Sequence, residues 1–281
     1  MAKENPVELL KAMLRAEVDS FCRRQDAPRE AVAEITEVIR RNGWRAVLFG
    51  GTLRSLLVSR FVHQRAGRPR DVDIVIQGPQ LKILRQLFAK LITRETRFGG
   101  LQLRQAEWLF DVWPLDRTWA IVEDKVRLPS FAYLPRTTFL NVEAVAVDVW
   151  PTTPGQEREI YSGDDQFFRA IIDRVVEVNR IENPFPQLCV VRSLVMTHDL
   201  GFRMGPKLAR YIADHGPTIP DDEMERIQEK HYGLIRVPGT LLREWIRSVC
   251  NSLDAGTERD LRLPVNALPL MSRPTLPLTG A

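Results

Sequence analysis

Apolar residues recur at helical spacing in two segments near the start of the chain. PVELLKAMLRAEVDSFC and PREAVAEITEVIRRNG both repeat apolar positions three and four residues apart. The second segment stops at Gly43, where a left-handed helix cap is expected. The sequence therefore predicts two helices before the first strand.

A strand, a glycine turn and a third helix are predicted next. WRAVLFGG is a short apolar run that stops at two glycines, and TLRSLLVSRFV then repeats leucines on one helical face. DVDIVI is β-branched and stops at Gly78-Pro79, which indicates a second strand. Three more strands are predicted in RFGGLQLRQ, AEWLFDVWPL and FLNVEAVAVDVW, together with a helix in LKILRQLFAKLI and a short helical turn in LDRTWAIV.

The pattern becomes mostly helical after Gly163, which suggests four regions. We expect an N-terminal helix over 1–27 and an α/β (α+β) head over 28–162, built on a mixed sheet of about five strands. An all-helical neck over 163–252 and a tail rich in proline and leucine over 253–281 complete the chain.

Composition narrows the functional classes. The 281 residues can form a two-lobed enzyme, and no segment approaches the roughly 20 apolar residues of a membrane span. The N-terminus MAKENPVELL lacks a signal-peptide core, so we expect a soluble, cytoplasmic protein without a membrane partner. Cys22, Cys189 and Cys250 form no C-x-x-C pair, and this argues against a disulfide framework or a zinc site. The net charge of +4 favours a polyanionic partner only weakly, and the oligomeric state stays open.

A phosphate-binding turn is predicted at Gly50 and Gly51. These residues lie where the first strand passes into a helix, so backbone without side chains could approach phosphate oxygens at the positive end of that helix. Arg54 lies one turn into the same helix and could contact the same anion. An isolated pair of glycines before a helix is more often an ordinary turn.

A carboxylate cluster is predicted from Asp71, Asp73 and Asp111. Asp71 and Asp73 are two residues apart on a predicted strand, so alternation places both on one face. Asp111 lies in WLFDVWPL, on a strand that could run beside them. Three acidic groups around two Mg²⁺ ions suit phosphoryl transfer. An isolated D-x-D usually faces water at a strand end, but the order of turn, arginine helix, D-x-D and later aspartate is harder to explain by coincidence.

These motifs resemble the head domain shared by CCA-adding tRNA nucleotidyltransferases and bacterial poly(A) polymerases. FGGTLRSLLVSR followed by RPRDVDIVI is similar to the family's G-G-x-x-R-D and D-x-D pattern, and PRTTFLNVEAVAVD is similar to its R-R-D-F-T-I-N-A segment. The resemblance covers roughly residues 28 to 212. It implies a five-stranded head, an NTP substrate, magnesium and an RNA 3′ end as acceptor. It also makes Arg136, Asn141 and Arg192 candidates for nucleotide contact, although a helix salt bridge explains Arg192 nearly as well.

Four positions depart from the family pattern. Ser55 and Thr137 replace two of its aspartates. The aspartate and arginine of its base-selecting E-D-x-x-R element fall on Pro186 and Cys189, so base selection by that route is not expected.

Two further features have competing interpretations. A basic loop directly before the D-x-D strand could meet a triphosphate or RNA, or could simply be solvated; it holds Arg60, His63, Arg65, Arg68 and Arg70. Trp108, Trp113 and Trp119 near Asp111 could stack on a base, but core packing is the more common fate of such residues.

The sequence thus predicts a metal-dependent nucleotidyltransferase that acts on a hydroxyl acceptor, with a tRNA-like 3′ end favoured. Transfer to a protein or small molecule keeps the chemistry and changes the acceptor. A catalytically silent NTP- or RNA-binding module is the third hypothesis. Three clustered acids argue against it, since they repel one another without a cation.

Overall fold

The computed structural model describes residues 5–23, 27–62, 69–151, 153, 155–256 and 260–263. The helices are α1 (Pro6–Arg23), α2 (Ala27–Arg41), α3 (Gly51–Phe61), α4 (Leu81–Leu87), α5 (Trp119–Glu123), α6 (Gln166–Asp173), α7 (Pro186–Leu200), α8 (Pro206–His215), α9 (Asp221–Tyr232) and α10 (Gly239–Asp254). The strands are β1 (Arg45–Phe49), β2 (Val72–Gln77), β3 (Ile92–Glu95), β4 (Leu101–Gln105), β5 (Trp108–Pro114), β6 (Ala146–Asp148), β7 (Ile160–Tyr161), β8 (Val175–Val176) and β9 (Arg203–Met204). Short 3₁₀ turns occupy Leu115–Arg117, Phe131–Thr137 and Asn141–Glu143.

Seven strands form one mixed sheet in the order β3-β4-β5-β2-β1-β6-β7. Strands β2 and β5 pair in parallel, and the other neighbouring strands pair antiparallel. The mixed α+β class is as predicted, but the sheet is wider than the expected five strands. The additional strands are β3, which begins at Ile92, the last residue of the predicted fourth helix, and the two-residue β7.

Alternation along the strands gives the sheet two different faces. On one face, Val72, Ile74 and Ile76 of β2 pack in the same buried cluster as Leu14 of α1 and Leu53 of α3. Burial of this apolar surface attaches the first helices to the sheet. The helix predicted within residues 1–27 is therefore part of the core of the head.

The opposite face carries a smaller buried cluster. There Val47 and Val75 pack against Ile121, Phe131 and Leu134, which belong to the segment that follows β5. Two residues before Val75, on the same face of β2, lies Asp73, and its register partner on β5 is Asp111. Both are acidic and lie outside this cluster. This leaves a polar row on the face opposite α1 and α3.

Helices α7 to α10 share a second core, and this arrangement supports the predicted helical neck. Trp245 of α10 and Leu194 of α7 are fully buried in this core. The neck is not entirely helical, because β8 and β9 form a short parallel pair. Phe167 of α6 belongs to the head cluster whereas Ala170 belongs to the neck cluster, so α6 joins the two cores.

Two predicted regions differ from the structure or lie largely outside the described residues. FLNVEAVAVDVW was predicted as a strand, but only Ala146–Asp148 forms one; Leu140 makes an isolated β-bridge with Val178, and a 3₁₀ turn lies between the two. Most of the predicted tail lies outside the described residues, as do residues 63–68 of the basic loop. Within the described segments, no helix combines the length and apolar character needed to cross a bilayer.

Candidate active site

The glycine turn, formed by Gly50 and Gly51, connects β1 to α3 as predicted. Gly50 has φ 52° and ψ −114°, a conformation that side-chain-bearing residues rarely adopt. Its N–H donates to the carbonyl oxygen of Val145 at 3.0 Å, and its carbonyl oxygen accepts the N–H of Arg54 at 3.0 Å. The turn is thereby fixed at both ends, and no side chain caps the first N–H groups of α3. These N–H groups suit an anion.

Asp73 and Asp111 lie side by side on the polar row. They are register partners on the parallel strands β2 and β5, so their side chains point to the same face. Gln102, the register partner of Asp111 on β4, donates from Nε2 to Asp111 Oδ1 at 3.2 Å. Thr52 of α3 accepts the backbone N–H of Asp73 at 2.8 Å. The pair of aspartates is therefore attached to the helix that follows the glycine turn.

Burial and mutual repulsion make both carboxylates difficult to ionise. The pKa of Asp73 lies well above its ordinary value because of burial and because of the charges of Asp71 and Asp111. The pKa of Asp111 is raised by burial and by Asp71, while the hydrogen bond from Gln102 acts in the opposite direction. Such opposition of like charges is typical of sites that hold a cation.

Asp71 forms an ion pair with its neighbour. Its Oδ2 lies 2.6 Å from Nη2 of Arg70, so the arginine of the basic loop nearest to the carboxylates pairs with one of them. Arg70 also donates to the carbonyl oxygen of His231 at 3.1 Å and lies over the ring of Tyr232 at 5.3 Å. Among the described residues, no three acidic, histidine or cysteine side chains are placed to hold a metal ion together.

Arg54 and Arg192 meet at a residue that the sequence analysis did not select. Arg54 of α3 and Arg192 of α7 both form ion pairs with Oε1 of Glu143, whose side chain is only 6% exposed. The two predicted nucleotide contacts are thus brought together. Glu143 matches no motif, and its importance is visible only when α7 packs against the head.

Arg136 and Asn141 occupy different environments. Arg136 is exposed at the end of the Phe131–Thr137 turn. The amide of Asn141 donates to the carbonyl oxygen of Val175 at 3.2 Å and accepts the N–H of Glu177 at 2.9 Å. A nucleotide-binding role for either residue stays a prediction, whereas the structural role of Asn141 is directly visible.

The positions of the family's base-selecting pair are apolar. Pro186 begins α7, and the Cys189 thiol is buried next to the Tyr211 hydroxyl. Burial raises the pKa of this thiol to about 12, so it is neutral at physiological pH. Neither side chain can present the charged hydrogen-bonding edge of an aspartate or an arginine.

Of the three tryptophans, Trp108 is buried and forms an edge-to-face contact with Phe21, so the packing interpretation holds for it. Trp113 and Trp119 are half-buried. Trp113 donates to the Thr118 hydroxyl at 3.0 Å, and Arg180 lies over the ring of Trp119 at 5.5 Å. Both rings are thus held by neighbouring residues.

Comparison with solved structures identifies the fold. A CCA-adding enzyme in complex with ATP matches with a TM-score of 0.53 and 14% identity, over 82% of this chain and 51% of that chain. A tRNA nucleotidyltransferase in complex with a primer tRNA and an incoming ATP analogue matches with a TM-score of 0.51 and 16% identity, over 78% and 61%. The apo form of a CCA-adding enzyme matches with a TM-score of 0.55 and 14% identity, over 83% and 53%.

The likeness is one of fold. No family model and no curated protein matches the sequence. The chain spans about half the length of the solved structures it matches. The predicted resemblance to a CCA-adding-type nucleotidyltransferase head is confirmed at the level of architecture.

Proposed function

We propose that this protein is a magnesium-dependent nucleotidyltransferase that transfers NMP from an NTP to a hydroxyl acceptor, with an RNA 3′ end as the first candidate. The observation that carries the proposal is the pairing of Asp73 with Asp111 in register on β2 and β5, next to the glycine turn. The hydroxyl oxygen of the acceptor attacks the α-phosphorus and forms the new O–P bond. The bond between the α-phosphorus and the oxygen that bridges to the β-phosphate breaks, and pyrophosphate leaves.

The chemistry of the carboxylate cluster fits Mg²⁺. Carboxylate oxygens are the protein ligands that this ion takes, and a bound cation would favour the ionised forms of Asp73 and Asp111, which burial and neighbouring carboxylates disfavour. Asp73 and Asp111 would hold the ion, and Asp71 would join them on release from Arg70. A bound Mg²⁺ would neutralise charge on the triphosphate and on the leaving pyrophosphate.

Backbone N–H groups and two arginines near the glycine turn would bind and orient the triphosphate. The backbone N–H groups after Gly50 and the positive end of α3 would hold phosphate oxygens. Arg54 and Arg192 would add charge-assisted hydrogen bonds, which guanidinium groups form well with phosphate. Thr52 and Gln102 keep Asp73 and Asp111 in position while the substrate binds.

A labelling assay tests the proposed reaction. The purified chain would be incubated with Mg²⁺, labelled NTPs and total RNA, beside a variant that combines Asp71→Ala with Asp73→Ala. We expect label in RNA for the wild type only. Asp124→Asn is a matched control, because it removes an aspartate that pairs with Arg180 on the surface. Labelling that is absent from the wild type, or that survives the double substitution, contradicts the proposal.

The acceptor is tested by separating the products. Four reactions, each with one labelled NTP and with tRNA, would identify the nucleotide and show whether RNA receives it. Label in a protein or a small molecule instead would retain the chemistry and replace the acceptor. An absence of magnesium-dependent NTP turnover with every acceptor would leave a silent binding module.

A further inference from the structure

Two arginines from different parts of the chain converge on one carboxylate oxygen. Arg54 donates from the head helix α3, and Arg192 donates from the neck helix α7, to Oε1 of Glu143. The Glu143 side chain is 6% exposed, whereas those of Arg54 and Arg192 are 17% and 30% exposed. We call this set the arginine–glutamate triad.

All three side chains of the triad are charged at neutral pH. Burial by itself would raise the pKa of Glu143, but Arg192 and Arg54 lower it to about 2. Two positive groups and one negative group leave a net positive charge. Without the carboxylate, the two guanidinium groups would repel each other and separate. Glu143 is therefore what allows both cations to occupy the same small region.

The triad lies directly beside the glycine turn. A Cβ atom placed on Gly51 would lie 3.6 Å from Nη2 of Arg54 and 3.5 Å from Oδ2 of Asp73, so both groups face the Gly51 backbone. A Cβ atom placed on Gly50 would lie 3.7 Å from the carbonyl oxygen of Glu143. Glu143 thus borders the same turn that α3 follows.

We infer that Glu143 is a positioning residue, which holds Arg54 of the head and Arg192 of the neck together so that their remaining N–H groups meet the triphosphate at the glycine turn. Each guanidinium has five N–H donors, so the bond to Glu143 leaves donors available to phosphate oxygens. The inference rests on the proposed function and adds to it a link from the neck to the phosphates.

Glu143→Gln tests the inference, because it keeps the shape of the side chain and removes its charge. We expect the KM for NTP to rise about tenfold while kcat changes less than about threefold, as for loss of ground-state binding. Glu37→Gln is the matched control. Glu37 also pairs with two arginines, Arg40 and Arg41, but on the surface of α2. The KM of the Glu37→Gln variant for NTP should equal that of the wild type.

The opposite result is equally informative. If Glu143 instead competed with the triphosphate for the arginines, Glu143→Gln would lower the KM for NTP. An unchanged or lowered KM in a folded variant overturns the inference. Because loss of a buried charge can unfold the chain, the melting temperature of each variant would be measured first. Glu143→Asp retains the charge and shortens the reach, so an intermediate KM is expected, and an unchanged KM would also contradict us.

Binding of inorganic tripolyphosphate with Mg²⁺, measured by calorimetry, separates this inference from the proposed function. If the wild type binds tripolyphosphate about tenfold more tightly than Glu143→Gln but transfers no nucleotide, the proposed reaction fails and the role of Glu143 stands. If nucleotide transfer occurs and Glu143→Gln binds tripolyphosphate as well as the wild type, only the inference fails. If the wild type neither binds tripolyphosphate nor transfers nucleotide, both the proposed function and the inference about Glu143 are wrong.

Discussion

At the scale of single residues, the carboxylate of Asp73 is the most informative group in the site. It is half-buried close to Asp71, Asp111 and Glu143, and desolvation together with the charges of all three raises its pKa. Groups arranged for catalysis are often unfavourable for folding, because selection for function tolerates the loss of stability. Asp73 should therefore destabilise the metal-free protein.

Asp73→Asn is expected to abolish nucleotide transfer and to raise the melting temperature measured without divalent cations. A folded-state pKa above the unfolded value means that wild-type stability falls as the pH rises from the ordinary aspartate range through that higher pKa. The gain in the variant should therefore be largest at neutral pH, about 2–4 °C, and should vanish near pH 4. Scanning calorimetry in EDTA at several pH values measures it. A lower melting temperature at pH 7 would contradict the account.

The two glycines of the turn should respond differently to alanine. Gly50→Ala places a side chain at φ 52° and should cost about 1–3 kcal/mol of unfolding free energy. At Gly51 a Cβ atom would make ordinary contacts of 3.5–3.6 Å, so Gly51→Ala should fold normally. The same methyl group would stand between Arg54 and Asp73 and should raise the KM for NTP. Denaturant titration and steady-state kinetics on both variants would check this contrast, which equal stability losses would refute.

The site residues differ in how far the sequence could reveal them. Asp71 and Asp73 follow from strand alternation, and Gly50 and Gly51 follow from a strand that stops before a helix. The register of β2 with β5 places Asp73 beside Asp111, and single-sequence patterns do not specify which strands become neighbours. Glu143 could not be found in this way, since both of its partners come from distant helices.

At the scale of elements, amphipathic helices were predicted well and short strands were not. Helices α7 to α10 lie in the part of the chain after Gly163 that was predicted to be mostly helical, and each contributes apolar side chains to the neck core. The predicted helix in LKILRQLFAKLI ends at Leu87, and Ile92 begins β3. The predicted strand FLNVEAVAVDVW is interrupted where the Asn141 and Glu143 side chains make bonds to distant segments. Apolar content alone did not reveal those bonds.

Asn141 connects the segment before β6 to the segment around β8. Asn141→Ala would leave the carbonyl of Val175 and the N–H of Glu177 without these buried bonds, and we expect a loss of about 1–3 kcal/mol. Denaturant titration measures the loss. Asn251→Ala is a suitable control, since Asn251 is exposed on α10. Unchanged stability together with a raised KM for NTP would instead favour the predicted nucleotide contact.

At the scale of the whole molecule, the head and the neck meet at charged groups of the site as well as at apolar surfaces. Arg192 brings α7 to Glu143, and Arg70 brings the end of α9 to Asp71. Burial, with Arg192 and Arg70, lowers the pKa of His231 to about 3, so this residue adds no charge at neutral pH. We therefore expect the contact between α9 and the head to change when a cation binds at the carboxylates.

Arg70→Ala should free Asp71 and release the end of α9. We expect the Mg²⁺ concentration for half-maximal activity to fall about two- to tenfold, because a competing cation is removed, and hydrogen exchange in α9 to become faster. Arg60→Ala is the control, because Arg60 pairs with Glu17 on the outer side of α3. A higher magnesium requirement in Arg70→Ala would show that Arg70 supports the metal site instead.

The parallel pairing of β2 with β5 also bears on how the protein matures. The chain leaves β2, builds α4, β3 and β4, and only then returns with β5 to the place beside β2. Such non-local pairing forms slowly, since a long loop must close before any contact compensates for its entropy. We therefore expect Asp73 and Asp111 to stay apart until β5 joins β2, so that the proposed metal site forms only with the completed sheet.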